Sequence, residues 1–306
     1  MGIVVLGAVF VDIKGFPMDT YIPTGRNVGR IEYIHGGVSR NVVEDIANVE
    51  LRPTFISIVD DSPMGADVIQ KLKNHKVNVD YIQTIPDGMG TWLAVFDNNG
   101  DVAGSISKRP NMMPVLDVLE EKGDKIFSEA DSVVLEVDLD KEIVKKVLEL
   151  AEKHNVRAYG LVSNMSIAAE RRDFLQKFSC FICNQLEAGL LFLDDYEGKS
   201  REEMCDILAE KVQGAKIPAM VVTMGGEGAV YADMKGNKGV CPAKKVHVKD
   251  TTGAGDAFCA GVSIGLTYGK SLADAIEIGS TLAASVITSS ENVCPRFQPS
   301  EFGIDR

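Results

Sequence analysis

Several familiar ways of holding a nucleotide are missing from this sequence. There is no G-x-x-x-x-G-K-[ST] run, so the phosphates of a nucleotide cannot be cradled by a P-loop. There is no G-x-G-x-x-G near the N-terminal strand, and after Gly253-Ala254-Gly255 the place of a third glycine is taken by Phe258, which argues against a dinucleotide oxidoreductase. Basic residues are scarce: 32 Lys and Arg face 44 Asp and Glu, a formal net charge of −12. Such a chain is a poor partner for nucleic acid or an anionic membrane, although it leaves room for a local basic or amide-lined phosphate pocket. No apolar run approaches membrane length, and a strand-like run already begins at Gly2, leaving no space for a signal peptide. The expected location is the cytoplasm. The six cysteines (180, 183, 205, 241, 259 and 294) are scattered in apolar surroundings, as reduced thiols would be. Only Cys180-x-x-Cys183 is close. It lacks a second pair and a nearby His, so zinc is not expected, and on a strand its two thiols would face opposite sides. No repeat, low-complexity tract or linker divides the 306 residues, which suit one α/β domain with a full core.

What is present is organised around Asp250-Thr251-Thr252-Gly253-Ala254-Gly255-Asp256-Ala257-Phe258. It follows a strand-like run at Val246 to Val248 and opens a long apolar segment, Ala254 to Leu266, that reads as a buried helix. Unpaired N–H groups and the helix dipole make such a start an anion site. Gly253 and Gly255 let backbone approach a ligand. Asp256 then places a carboxylate beside a phosphate site, where like charges repel. That is useful if the carboxylate takes a proton from a hydroxyl attacking the phosphate. A capped helix start with an acidic first turn explains the same residues structurally.

Other pieces read similarly. Gly2 to Phe10 is a continuous apolar strand ending in Val11-Asp12, and strand C-termini of parallel sheets meet ligands. Residues 13 to 35 carry Pro17, Pro23 and several glycines, then alternate from Val28 to Ile34. Thr91–Asp97 and Val102–Ser107 flank Asn98-Asn99-Gly100, a hairpin signal. These two β insertions, roughly 13–35 and 90–108, predict a small sheet projecting from the core as a lid, with Trp92 lining it or simply packing. Gly36-Gly37 precedes a helix from Val38 to Val49 with Val42, Ile46 and Val49 on one face. There Asn41 would point back towards Asp12. From Pro53 strands and helices alternate, among them strand Thr54 to Val59, a helix to Asn74 with Ser62 as N-cap and Pro63 at its first position, helix Ile167 to Phe178, strand Ala219 to Thr223 and return strand Ala229 to Asp233, predicting a doubly wound, mostly parallel sheet flanked by helices. Glu136 ends one strand. Asn184 and Glu187 begin a helix after another and also form a near capping box. Thr223, Gly225 and Gly228 sit on a strand-to-hairpin turn that needs its glycines anyway.

Taken together and in order, these motifs resemble those of the ribokinase-like, or PfkB-type, carbohydrate and nucleoside kinases. D-T-T-G-A-G-D matches that family's C-terminal signature and His35-Gly36-Gly37 to Glu44 its N-terminal one, with Glu44 a mild departure. The form G-G-V-S-R-N-V is closer to pseudouridine kinases than to ribokinase, which has Lys where this chain has Arg40. The resemblance covers nearly the whole chain, as a single ribokinase-like domain over 1–306.

The resemblance implies a kinase dependent on ATP and Mg²⁺. Asp256 would be the general base, and the Gly253, Ala254 and Gly255 amides an anion hole. Asp12, Gly36, Gly37, Asn41 and Glu136 would bind substrate hydroxyls, and Asn184, Thr223, Gly225 and Gly228 the nucleotide. Glu187 with Asn184 would hold Mg²⁺ through water. The loop Ser289 to Pro295, with Asp250 and Thr252, would enclose a monovalent cation such as K⁺ in some relatives. Lid strands pairing between subunits imply a homodimer. The expected substrate is pseudouridine or another nucleoside, with a free pentose or ketohexose as the alternative. Arg26, Arg30, Lys108 and Arg109 leave a phosphorylated sugar open. A non-catalytic sugar or nucleotide sensor on the same fold is the other class, one that would have no need of Asp256.

Overall fold

The computed structural model describes residues 2–304, apart from the Arg171 side chain. The chain runs β1 (Ile3–Leu6), β2 (Phe10–Pro17), β3 (Gly29–Gly36), α1 (Val38–Asn48), β4 (Thr54–Val59), α2 (Pro63–Asn74), β5 (Asn78–Thr84), β6 (Gly90–Phe96) and β7 (Val102–Lys108). It continues through α3 (Pro114–Ser128), β8 (Ser132–Glu136), α4 (Lys141–His154), β9 (Arg157–Leu161), α5 (Met165–Ala168), α6 (Arg172–Leu175), β10 (Cys180–Asn184) and α7 (Gln185–Phe192). It ends with α8 (Arg201–Ala215), β11 (Ala219–Thr223), β12 (Ala229–Asp233), β13 (Lys238–Cys241), α9 (Ala254–Thr267) and α10 (Leu272–Ile287).

Nine strands form one sheet in the order β13-β12-β11-β10-β9-β8-β1-β4-β5. From β11 to β5 every pair is parallel, and β12 and β13 return antiparallel at one edge. The parallel strands are nearly continuous apolar runs because both faces are covered. One face packs against α3, α4 and α8, through residues such as Phe127, Val147 and Leu208. The other packs against α1, α2, α9 and α10, through Ile46, Leu72, Val262 and Leu282. Cys180 belongs to one of these cores and Cys183 to the other, as their opposite facing on a strand requires. Strand order reverses between β1 and β8, and the crevice at the C-terminal ends there is where an open α/β sheet binds ligands.

Four strands, β3-β2-β6-β7, make a separate small sheet. It corrects the reading of the N-terminus. The apolar run from Gly2 is not one strand: it leaves the large sheet after Leu6, and Phe10 begins β2 of the small sheet. Val9 and Val11 are still buried there, so hydrophobicity does not mark the change. Asp12 therefore stands inside a strand of the small sheet rather than at the end of a core strand. β5 and α3 were not foreseen. The expected helix Ile167–Phe178 is two short helices joined by a 3₁₀ turn at Ala169–Arg171. Val246 to Val248 is no strand: both valines are exposed, and Lys249 N–H bonds Ile287 O instead of a sheet neighbour. α1 is buried on nearly all sides rather than along one stripe.

Candidate active site

α9 begins at Gly253, its N-cap, in the left-handed region at φ 82° with no side-chain cap. A Cβ at Gly253 would overlap Asn292 O, so the 289–295 loop and the glycine hold each other in place. Gly255, by contrast, has nothing within 4 Å of where a Cβ would stand. No side chain caps the first N–H groups of this 14-residue helix, whose positive end lies here; that of Ala254 bonds the Thr251 carbonyl at 3.2 Å. Asp256, half-buried, accepts from Asn41 Nδ2 at 2.6 Å. Burial pushes its carboxyl up to about 7, against the pull of Asn41 and Arg40 and with Asp12 and Glu187 adding to the rise. A carboxylate with this pKa is matched to proton transfer near neutral pH.

Asn41 is held by α1, whose start is packed as tightly as that of α9 is open. Gly37, at φ 98°, admits no Cβ, because Ala8 O would lie 2.5 Å away. Arg40 is almost fully buried. It donates to His35 O, to Gly36 O and, at 2.5 Å, to Glu44 Oε2. Although burial raises the Glu44 pKa, Arg40 and Lys71 outweigh it and hold the carboxyl below its ordinary range. Asn292 Nδ2 also donates to His35 O, tying the end of β3 to the loop that bounds Gly253. Asn41 was expected to point towards Asp12; its side-chain amide instead donates to Asp256.

A cavity of about 250 Å³ lies between the two sheets, lined by Phe10, Asp12, Trp92, Ser107, Arg109 and Glu136 among others. The small sheet supplies one wall by register: Asp12 pairs with Trp92, and Trp92 with Ser107, in one row across β2, β6 and β7. Gly36 closes onto Asp12, with a hypothetical Cβ 2.5 Å from its Oδ1. Burial raises the Asp12 pKa, partly offset by Lys14 and Arg40. Glu136, at the end of β8, accepts from Ser39 N–H at 3.2 Å and Ala8 N–H at 3.3 Å. Burial and then the nearby Asp138 charge push it up to about 7.

Asp138 was not singled out from sequence. Its buried carboxylate accepts from Ser163 N–H and Oγ at 2.9 and 2.7 Å, and from Arg109 at 2.7 Å. The available signal was a second acid just past a core strand end, two residues beyond Glu136. Arg109 is thereby engaged, as are Lys108 by Asp87 and Arg30 by Glu32.

The other edge of the cleft is set by β10 and β11, whose terminal residues Asn184 and Thr223 are register partners. Asn184 and Glu187 form a full capping box: Glu187 N–H donates to Asn184 Oδ1 at 2.8 Å, and Asn184 N–H to Glu187 Oε2 at 2.7 Å. Oε1 of Glu187 takes no part in the box. Burial raises the Glu187 pKa and Asp138 adds to it, against the Asn184 N–H. Gly225 opens a 3₁₀ turn towards open space, and Gly228 is wedged against the β13 end at φ 103°. No group of three or more His, Cys, Asp or Glu is placed to hold a metal among the described residues. One carboxylate with a neighbouring amide suits a hard cation that keeps most of its own waters.

This arrangement groups a helix start without a side-chain cap, a half-buried carboxylate of pKa near 7, a polar pocket of about 250 Å³ and a second strand-end edge around one cleft. The pfkB family of carbohydrate kinases matches residues 2–294, and the chain belongs to that family. It is a phosphotransferase acting on a hydroxyl of a sugar or nucleoside. Over 292 residues it is 36% identical to the guanosine-inosine kinase of Exiguobacterium acetylicum, covering 95% of each chain. It is 24% identical to the pseudouridine kinase of Escherichia coli strain K12, over 90% of this chain and 86% of that one. Its fold superposes on Arabidopsis thaliana ribokinase complexed with ribose and ATP with a TM-score of 0.85, at 18% identity and 98% coverage of both chains.

Proposed function

We propose that this kinase transfers the γ-phosphoryl group of ATP to the primary hydroxyl of a ribonucleoside, with guanosine and inosine as its preferred substrates and Asp256 as general base. The observation that carries the chemistry is Asp256 itself: a carboxylate of pKa about 7, held by Asn41, one turn inside an uncapped helix start. The substrate choice is supported by likeness to a guanosine-inosine kinase along 95% of both chains. It is also supported by a cavity with aromatic walls, Phe10 and Trp92, and polar edges at Ser107 and Arg109, which suit a base that stacks and hydrogen-bonds. Pseudouridine, the first expectation, becomes one member of the panel. The pairing of Arg30, Lys108 and Arg109 with acids argues against a phosphorylated sugar.

In the reaction the substrate hydroxyl gives its proton to Asp256 as its oxygen bonds to the γ-phosphorus, and the bond to the β-phosphate oxygen breaks to leave ADP. The N–H groups of Gly253 and Gly255, and that of Ala254 as it turns from the Thr251 carbonyl, take the charge developing on the phosphoryl oxygens. Asp12 and Glu136 grip substrate hydroxyls beside Gly36 and Gly37. Thr223, Gly225, Gly228 and Asn184 border the nucleotide. Glu187 and Asn184 would hold Mg²⁺ through water, and the ion would then supply charge neutralisation on the phosphates. A monovalent cation beside Asp250 and Thr252 belongs to the same reading, tested by exchanging K⁺ for Na⁺ in the assay. The small sheet acts as a lid that excludes water.

The outer face of that sheet supports a homodimer. Tyr33, Ile13, Leu93 and Ile106 fall in one row across its four strands, and Tyr33, Leu93 and Ile106 are 63, 42 and 70% exposed. An Ile106→Lys variant eluting as a monomer beside a dimeric wild type is the expected result. The unpaired state of all six cysteines supports a reducing, cytoplasmic setting.

The deciding experiment is ADP release from Mg-ATP by wild type and Asp256→Asn with guanosine, inosine, adenosine, pseudouridine, uridine, cytidine, ribose and fructose. Turnover on guanosine and inosine that collapses in Asp256→Asn is expected. Turnover on ribose or fructose alone makes this a pentose or ketohexose kinase, and binding without turnover on any member a sensor.

A further inference from the structure

Asn41 gives its N–H to Asp256, yet its own Oδ1 is buried without a hydrogen-bond partner. One turn further along α1, Asp45 is fully buried. Its Oδ1 accepts from Cys294 N–H at 2.6 Å, and its Oδ2 is likewise buried without a partner. A buried acceptor left bare costs about 1–3 kcal/mol, so two of them one turn apart need a common explanation. Residues four apart share a helix face, and each Cα–Cβ bond tilts towards the N-terminus. The Asp45 carboxyl therefore leans over Asn41. Two ionised or bare acceptors in that position repel, whereas one proton between them satisfies both.

We infer that Asp45 is a positioning residue: as a neutral acid it donates its Oδ2–H to Asn41 Oδ1, directly or through one enclosed water, and so keeps the Asn41 N–H₂ turned to Asp256. The titratable groups around Asp45 are Glu44 on its own helix, Asp256 and Cys259 on α9, and Cys294 in the loop. Burial raises the Asp45 pKa well above its ordinary range, against the pull of the Cys294 N–H and thiol, and Asp256 and Glu44 add to the rise. The need for a lock is chemical. The two ends of an amide have the same shape, so a flipped Asn41 would present Oδ1 to the Asp256 carboxylate and raise its pKa further. Through its other oxygen Asp45 holds Cys294, in the loop whose Asn292 carbonyl bounds Gly253. One carboxyl thus serves both the base and the backbone of the anion hole.

The inference rests on Asp256 as the base, and its test separates the two. Asp45→Asn keeps one donor and one acceptor in the same shape; Asp45→Leu keeps only volume. Asp45→Asn should retain kcat and the acid limb of the kcat/KM profile. Asp45→Leu should lower kcat about tenfold with little change in KM and move the acid limb up by about one pH unit, the size of one lost hydrogen bond to a carboxylate. Asp45→Leu should add nothing to Asn41→Ala. Equal damage from Asp45→Asn, or additive effects in the double variant, would overturn the inference. Infrared difference spectra between wild type and Asp45→Asn at neutral pH should contain the C=O band of a protonated carboxylic acid. That readout needs no turnover and no Asp45→Leu protein, and a carboxylate band in its place overturns the inference even if Asp256 proves not to be the base.

Discussion

Two helices start at the rim of the same cleft and treat their first N–H groups in opposite ways. α7 closes on itself: Asn184 and Glu187 satisfy each other's backbone in a complete capping box. α9 has no side-chain cap, a left-handed glycine at its N-cap and open space at Gly255. A helix start can bind an anion only if its own side chains have left the N–H groups free. The difference fits the roles proposed above, in which α9 would take phosphoryl charge and α7 would offer a carboxylate whose second oxygen is outside the capping box. Both carry an acid at the third helical position, Glu187 and Asp256. Glu187 folds back onto its cap, while Asp256 is drawn across to Asn41 on another helix.

The largest way to break this contrast is Asp256→Asn, which keeps the shape and removes the proposed base; kcat should fall on the order of 10²-fold or more in the ADP-release assay. Gly255→Ala sharpens it. No protein atom stands in the way, so thermal stability should stay near wild type while kcat drops about tenfold or more, because the methyl intrudes on the anion hole. Gly253→Ala, which meets Asn292 and demands a left-handed φ, should instead also destabilise by roughly 1–3 kcal/mol in denaturant melts.

Next comes a pH test on the wild type. The folded pKa of Asp256, about 7, lies above its ordinary 3.8, so between those values the folded chain holds a proton that the unfolded chain has lost. The group's contribution to stability is therefore greatest below pH 4 and declines as pH rises through 7. Asp256→Asn removes that decline. It should be more stable than wild type by roughly 1–2 kcal/mol at pH 8 and about equal at pH 4, by urea melts, while the wild-type kcat/KM rises through an acid limb near 7. The smallest effect on the fold belongs to Glu187→Gln. Gln preserves a capping box, so stability should change by no more than about 0.5 kcal/mol, while the Mg²⁺ concentration for half-maximal rate should rise. A clear loss of stability would mean that the charge of Glu187 serves α7 rather than the cation.

Much of the molecule was legible before folding. β4, β11 and β12 fell on the expected residues, as did α2 with Ser62 at its N-cap and Pro63 at its first position. Their signals are local: a short apolar run, a hydroxyl before a proline, a glycine turn. Asp256, Asn184, Glu187 and the three α9 backbone positions were likewise visible as motifs. The departures lie where local signals agree with two structures at once. Gly2 to Val11 stays apolar while passing from one sheet to another, because both sheets bury it. Asp138 looks like any acid after a strand until Arg109 and Ser163 converge on it from distant segments.

By itself, then, the chain's order of residues determined the alternation of strands and helices, the positions of its glycine turns and the identity of the acid at the start of α9. These depend on periodicity and backbone freedom, which act within a few residues. Tertiary structure alone decided that Asp12 belongs to a strand of the small sheet beside Trp92, that Asn41 reaches Asp256 across 215 positions, and that Asp45 and Cys294 stand behind them. Such pairings follow from how α1, α9 and the last loop pack against one another. Burial then sets the charge of each acid, through desolvation that no single segment can supply.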